Sequence, residues 1–387
     1  MTAGSEKAWS AEQASPDVQP IASKAGALPP FLSGKLIDAA TGSAMRGLLI
    51  VAIVLGHNRS LLAVAPEFHH LYYWHVHGFF FLAFASRGFI SGGYAVRDML
   101  VRYLVPFAVF LTLGTLINMA RAPAQADISA YLTALIIGSS RLCDRASNMS
   151  LLWFLPALAG FVTVSILISR LVARASAWPL FVAMILGTGV LLVALIPRDA
   201  LKYVPLGLPI VAYVLPLSLA FCGLVVLVSG KSAPVRTIML VAALIACLVT
   251  TLLLKNLEVN IALFKFGQAE AVTFVLAALL AVTANVVVYL LSGFLRSFDW
   301  LRALGDSSLE IFLLHNFIQI PILTALLSRR QAFGDVALAG ASVVVSAIAI
   351  GLSMGLATGL RRLPRLRSLI FPRDWAMLVN AKPGRII

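Results

Sequence analysis

The chain has 387 residues, of which 60% are hydrophobic and only 12% are charged. A soluble globular domain carries about 25% charged residues, so this composition excludes an ordinary soluble protein. The apolar residues form long blocks, and a block of about 20 apolar residues crosses the hydrocarbon core as one helix. Strands of a membrane barrel would alternate apolar and polar residues, which these blocks do not do. The sequence therefore predicts an all-α polytopic membrane protein.

The net charge of +14 does not indicate a nucleic-acid partner. Lys and Arg stand singly or in pairs at the ends of the apolar blocks, and they become dense only at Arg361, Arg362, Arg365 and Arg367. This distribution is typical of membrane orientation and of contact with anionic lipid headgroups. Membrane lipids are thus predicted partners.

Three regions follow one another along the chain. Residues 1–40 are rich in Ala, Ser, Pro and charged residues and predict a disordered tail. Residues 41–362 form the transmembrane domain, and residues 363–387 form a basic C-terminal tail. We predict about ten transmembrane helices, at 44–64, 72–92, 101–120, 151–171, 178–197, 204–229, 235–254, 271–295, 308–328 and 336–360. The apolar stretch 129–138 is too short to span and predicts a re-entrant or interfacial helix.

Ten spans place both termini on the same side of the membrane. The basic residues are more frequent in the tails and in the loops of that side, which predicts that both termini are cytoplasmic. In the last span, Gly351, Gly355 and Gly359 are spaced four apart and predict a flat face for close helix packing.

The first block carries two ionisable residues, Arg46 and His57, eleven positions apart. In a continuous helix this spacing is about three turns and a rise of about 16 Å, so both side chains would share one face. Ionisable groups inside a membrane usually have a function. A cation near the surface and an imidazole near the middle of the bilayer indicate a site. An interfacial anchor plus a polar packing residue is the alternative interpretation.

Further polar residues lie in later blocks. His75 and His77 point about 200° apart on a helix, so only one of them can face His57. Together with His69 and His70 they form a His-rich segment, but no Cys or carboxylate with ligand spacing supports a metal site beyond Glu67, and we predict no metal.

Five segments, taken in order, resemble the acyltransferase family 3 membrane proteins. The segments are Arg46 and His57 with ten residues between them, Trp74–Leu82, Arg102–Phe107, Leu152–Leu158 and Leu304–His315. The chain differs from the family pattern in two places. Ala83 and Phe84 stand where the family has Ser-Gly, and Arg97 and Arg102 are five rather than three residues apart.

The resemblance implies a membrane O-acyltransferase of the bacterial inner membrane that moves an acyl group, expected to be acetyl, from acyl-coenzyme A. The implied acceptor is a hydroxyl of a cell-surface sugar, a lipid-linked glycan or a polysaccharide. Acetyl-coenzyme A would be a substrate, and no tightly bound cofactor is implied.

The resemblance also implies roles for individual residues. His57 would be the general base, because neutral imidazole suits proton transfer near neutral pH. Arg46, Arg97 and Arg102 would bind the donor's phosphates, since guanidinium groups suit phosphate geometry. The implied substrate-binding or supporting residues are Asn58, His75, Trp153, Glu310 and His315.

Two other classes remain as alternatives. A secondary transporter or polysaccharide exporter also has about ten to twelve spans with a few buried charges, although no internal repeat is visible here. A catalytically inactive relative of the acyltransferases is the other, because of the two departures from the family pattern. The sequence predicts no oligomeric state.

Overall fold

The computed structural model describes residues 36–86, 96–123, 127–175, 205–255 and 270–379. No strand occurs within these ranges. The helices are, in chain order, α1 (Ala39–Gly56), α2 (Arg59–Val64), α3 (His75–Ala85), α4 (Val96–Arg121), α5 (Ile128–Ile137), α6 (Ser140–Ser147), α7 (Phe154–Ala175), α8 (Leu208–Ser229), α9 (Ala233–Leu254), α10 (Glu270–Leu295), α11 (Asp299–Asp306), α12 (Ser308–Leu327), α13 (Arg330–Phe333), α14 (Asp335–Arg361), α15 (Pro364–Ile370) and α16 (Trp375–Val379). Short 3₁₀ segments cover Pro66–Tyr73, Ser150–Trp153 and Pro205–Gly207.

Among the described residues, eight helices are long and apolar enough to cross a membrane. These candidate spans correspond to α1, α4, α7, α8, α9, α10, α12 and α14. The prediction of an all-α polytopic membrane protein is therefore confirmed, and eight of the ten predicted blocks coincide with such helices. The block 178–197 lies outside the described residues. Of the block 72–92, the described part holds the 11-residue helix α3, so the count of ten stays a prediction.

Helix α1 lies at the centre of the bundle and packs against α3, α10, α11 and α12. It begins at Asp38, whose carboxylate accepts hydrogen bonds from the Thr41 backbone N–H (2.9 Å) and from the Thr41 hydroxyl (2.7 Å). Such an N-cap satisfies a backbone donor that the first turn leaves free. In the apolar 18-residue stretch of α1, 67% of the residues are buried, against 11% in that of α9. Helix α9 packs chiefly along α10. Helix α9 thus belongs to the lipid-facing periphery.

Two glycines let α11 approach the backbone of α1. A Cβ atom at Gly47 would collide with the Leu301 carbonyl oxygen, and a Cβ atom at Gly305 would collide with the Ser43 carbonyl oxygen. Only residues without a Cβ permit this contact. The approach brings Asp306, at the end of α11, beside Arg46.

The first predicted span, 44–64, is wrong as one continuous helix. Helix α1 ends at Gly56, and α2 begins at Arg59. The break arises because the Asn58 side chain accepts a hydrogen bond from the Leu61 backbone N–H (2.9 Å) and so starts a new helix.

The predicted packing face of α14 has no partner among the described residues. Gly351, Gly355 and Gly359 are exposed, and a Cβ atom at any of them would meet no described atom within 4 Å.

Two segments outside the spans are also helical. The stretch predicted as too short to cross is the 10-residue α5, capped by Asp127, which accepts a hydrogen bond from the Ala130 N–H at 2.8 Å. The described part of the predicted C-terminal tail contains α15 and α16, which pack on α4. The predicted N-terminal tail lies outside the described residues up to residue 35, as do residues 380–387.

Candidate active site

The break between α1 and α2 places His57 just past the end of α1. The His57 backbone N–H still bonds to the Ile53 carbonyl (2.9 Å), and the ring Nδ1 lies 2.8 Å from the same oxygen. A carbonyl oxygen only accepts, so Nδ1 carries the proton and Nε2 carries the lone pair. His57 is half-buried.

Asn58 fixes the break to α14. Its Nδ2 donates to the Ser342 carbonyl (2.7 Å) and to the Ser346 hydroxyl (2.8 Å), while its Oδ1 caps α2. The side chain is fully buried. Asn58 therefore holds the backbone next to His57 in place, in keeping with its predicted supporting position.

Gln319 of α12 supports the same break from the other side. Its Nε2 lies 3.2 Å from the Val54 carbonyl and 3.3 Å from the Ser346 hydroxyl. The Val54 carbonyl belongs to the last turn of α1, where carbonyls lack helical partners. Sequence reasoning missed Gln319, although it lies one turn beyond His315 on the same helix face.

Three imidazoles meet at this point. The ring centroid of His57 is 5.5 Å from that of His315 in α12 and 6.4 Å from that of His75 in α3. His75 and His315 also use Nδ1 to donate to a carbonyl one turn earlier, those of Leu71 and Ile311. Their Nε2 atoms are buried and have no hydrogen-bond partner among the described residues. Three Nε2 lone pairs are thus gathered from three helices, and only His57 is partly exposed.

Tyr72 closes one side of the cluster. Its ring centroid lies 5.5 Å from that of His57 and 5.3 Å from that of His75. His77 belongs to a different environment, in which its ring packs against Tyr213 (5.7 Å) and Phe81 (6.0 Å). Only one residue of the His75/His77 pair meets His57, as the helical spacing predicts.

No group of three or more His, Cys, Asp or Glu side chains with the geometry to hold a metal ion is found in the described part of the chain.

Arg46 lies about two turns into α1, about 16 Å from His57 along the helix axis. Its guanidinium donates to the Gly305 carbonyl (3.2 Å), to the Ser43 hydroxyl (2.9 Å) and to Asp306 (3.2 Å). The Ser43 hydroxyl in turn donates to Asp306 at 2.7 Å. One third of the Arg46 side chain is exposed, so the group is oriented by α11 and still accessible. The sequence analysis did not identify Asp306 as the partner.

Arg97 and Arg102 lie in the first two turns of α4 rather than in a loop. The Arg97 guanidinium lies over the Trp375 ring of α16 at 5.4 Å, and Asp98 accepts a hydrogen bond from the Trp375 N–H. Arg102 lies over the Tyr103 ring (6.0 Å) and within electrostatic range of Arg46. Arg97 thus contacts α16 and remains largely exposed, and its role at a donor phosphate stays a prediction.

Glu310 and Trp153 have recorded contacts with residues other than the three imidazoles. The Glu310 carboxylate is 4.0 Å from Arg361 of α14, and Arg361 also donates to the Ser307 hydroxyl (2.7 Å). Glu310 therefore belongs to the same end of the bundle as Asp306. Trp153 is buried and packs edge-on against Phe154 (6.2 Å).

The comparisons with known proteins agree with this architecture. A family model described as an acyltransferase domain, that of acyltransferase family 3, matches residues 43–358 and so covers α1 through most of α14. No curated protein matches the chain, and no solved structure does. The protein is thus a multi-pass membrane acyltransferase. The chain belongs to acyltransferase family 3, which favours the enzyme over the transporter or exporter.

Proposed function

We propose that the protein is an O-acyltransferase that moves an acyl group, in the simplest case acetyl, from acyl-coenzyme A to a hydroxyl group. The acceptor would be a sugar of the cell surface, presented as a lipid-linked glycan or a polysaccharide. Membership of the acyltransferase family supports the reaction class. The arrangement around His57 supports the choice of a hydroxyl acceptor.

The observation that carries the proposal is the state of the His57 ring. Nδ1 donates to the Ile53 carbonyl, which leaves the Nε2 lone pair free to accept a proton. His57 is the partly exposed member of the three imidazoles, so a substrate can reach it. A base with an accessible lone pair is what the activation of a hydroxyl group requires.

In the proposed reaction, His57 Nε2 takes the proton of the acceptor hydroxyl while its oxygen attacks the thioester carbonyl carbon. The new C–O ester bond forms and the C–S bond breaks. The thiolate of coenzyme A leaves and takes the proton back from His57, so that the imidazole returns to its neutral form.

His75 and His315 are proposed as positioning residues for the acceptor. Their buried Nε2 atoms have no described partner, and a buried acceptor without a hydrogen bond is costly. Hydroxyl groups of a sugar are donors that would satisfy both atoms. Such contacts would favour a polyhydroxylated acceptor over a simple alcohol.

The protein is proposed to lie in the bacterial cytoplasmic membrane with both termini in the cytoplasm. Arg46, Arg97 and Arg361 then face the cytoplasm, where acyl-coenzyme A is available. The excess of basic residues on this side supports the orientation.

The donor and the orientation can be tested together with membrane vesicles of known sidedness. Coenzyme A thioesters are charged and stay outside a sealed vesicle. We expect inverted vesicles, which expose the cytoplasmic face, to release coenzyme A and to take radiolabel from [acetyl-¹⁴C]acetyl-coenzyme A into glycan. Right-side-out vesicles and inverted vesicles without the protein serve as controls. Activity in right-side-out vesicles alone would contradict the orientation, and no label transfer in either would contradict the proposed donor.

A further inference from the structure

A cavity of about 660 Å³ opens beside Arg46 at the proposed cytoplasmic end of the bundle. This volume is within the usual range for small-molecule sites. Five helix ends surround the cavity, namely the start of α1, the ends of α3 and α8, the first turn of α9 and the end of α10. Its polar lining side chains are Asp38, Thr41, Arg46, Ser86, Ser229, Arg236, Tyr289 and Arg296.

The cavity carries more positive than negative charge. Among the described residues, three guanidinium groups line it, against one carboxylate, that of Asp38. Partial burial raises the pKa of Asp38, but hydrogen bonds from Thr41 and the charge of Arg296 outweigh it and leave that pKa below its ordinary value. Asp38 is therefore ionised at neutral pH, and the lining keeps an excess of two positive charges.

The three arginines differ in how far they are already neutralised. Arg46 pairs with Asp306 at 3.2 Å, and Arg296 lies 3.7 Å from Asp38. Arg236 takes part in none of the ion pairs among the described residues, and its Nε is buried without a hydrogen-bond partner there. Arg236 as a whole is partly exposed and lines the cavity, so its charge is available to an anionic ligand there.

We propose that this cavity binds the phosphate groups of the donor, with Arg236 and Arg296 as the phosphate ligands beside Arg46. The inference rests on the proposed acyl-coenzyme A donor. The proposal assigns phosphate binding to residues of α9 and of the end of α10 in place of Arg97, because the Arg97 guanidinium contacts the ring of Trp375.

The position of the cavity suits this ligand. Arg46 lines the cavity, and His57 lies about 16 Å further along α1. In a coenzyme A thioester the phosphates and the thioester are at opposite ends of a flexible arm. Phosphates bound at Arg236 and Arg296 would thus leave the thioester free to approach His57.

The test is direct binding to the full-length protein in nanodiscs of uncharged lipid, with coenzyme A and inorganic pyrophosphate as probes. Each of Arg236→Gln and Arg296→Gln should weaken the binding of both probes by about tenfold to a hundredfold. Arg302→Gln is the matched control, since Arg302 lies on the same side, pairs with Asp299 and does not line the cavity. The control should bind both probes like the unmodified protein.

A second variant should change affinity in the opposite direction. Asp38→Asn removes the one carboxylate of the lining and keeps a side chain that caps α1 equally well. We expect it to bind pyrophosphate several-fold more tightly, which general damage to the fold would not produce.

The outcomes separate the two proposals. Coenzyme A binding that is undiminished in both Arg236→Gln and Arg296→Gln would overturn the cavity assignment and leave the proposed donor intact. Arginine-dependent pyrophosphate binding without coenzyme A binding would support the phosphate site and contradict the proposed donor. Binding of neither probe to the unmodified protein would overturn both.

Discussion

At the break between α1 and α2, Asn58 uses both ends of its side-chain amide. The oxygen caps α2, and the nitrogen reaches two groups of α14, the Ser342 carbonyl and the Ser346 hydroxyl. Because all of these groups are buried, the geometry of His57 depends on a residue that need not touch a substrate. The neighbouring Gln319 bonds to the same Ser346 hydroxyl, so α12 and α14 are joined at the break.

Replacement of this residue by Asn58→Ala should therefore affect both stability and activity. It removes the cap of α2 and two hydrogen bonds to α14, and we expect a loss of about 1 to 3 kcal/mol of stability. Turnover should fall while the KM for the donor, which is proposed to bind near the start of α1, stays nearly constant. Thermal unfolding in detergent and steady-state kinetics measure the two effects.

Asn118→Ala is a suitable control for this variant. Asn118 also bonds through its side chain, to the Ala146 carbonyl and to Asn148, but at the exposed end of α4. It should change the melting temperature and turnover little. Unchanged stability and turnover in Asn58→Ala would show that the break does not depend on this residue.

At the scale of elements, the contact between α1 and α11 positions the group formed by Arg46, Ser43 and Asp306. The Gly47 and Gly305 positions allow the two backbones to touch, and this contact brings Asp306 to Arg46 and Ser43. A single methyl group at either glycine would meet a carbonyl oxygen of the other helix, which cannot yield as a flexible side chain can.

Gly305→Ala should accordingly separate α11 from α1. We expect an apparent donor KM raised by about tenfold, because Arg46 loses the partners that orient it, together with a lower melting temperature. Gly351→Ala is the matched control, since nothing described lies within 4 Å of its added Cβ. If both variants gave the same kinetics and melting temperature, the close helix contact would have no role in orienting Arg46.

Gly47 and Gly305 also show why the packing of one helix against another was hard to predict. The spacing of Gly351, Gly355 and Gly359 is a pattern within one helix and is visible in the sequence, yet these residues face outward. Gly47 and Gly305 are far apart in the chain and form no pattern, because their meaning depends on a partner helix. A sequence shows the periodicity of one helix but not which helix it meets.

At the scale of the whole molecule, hydrophobicity predicted the architecture well. Lipid requires every backbone group to be satisfied within the segment, so long apolar blocks must be helices. The break after Gly56 was not predicted. It depends on hydrogen bonds from the Asn58 side chain to α14, a helix distant in the chain, and the sequence does not show which helix Asn58 contacts. Asn58 was correctly placed near His57 as a neighbour in sequence, but its role as a cap was not foreseen.

Only part of the candidate site could be predicted, because a sequence shows unusual residues but not which helices meet. His57, His75 and His315 stood out as ionisable residues in apolar blocks, and the bundle brings them together. The cationic cavity was not foreseen, since Arg236 and Arg296 appear in the sequence as ordinary basic residues at helix ends. Their convergence follows from the packing of α1, α8, α9 and α10.

The role of His57 as the base is tested most directly by measuring acetyl transfer in His57→Gln. The variant keeps a polar side chain but lacks a titratable lone pair, and loss of a general base costs about a hundredfold to ten-thousandfold in rate. We expect kcat to fall by that factor, with coenzyme A binding and the melting temperature unchanged. The control is His77→Gln, because the buried His77 ring packs against Tyr213 and not against His57. This variant should retain activity within about tenfold. Transfer by His57→Gln within tenfold of the unmodified rate would contradict the assignment of His57 as the base.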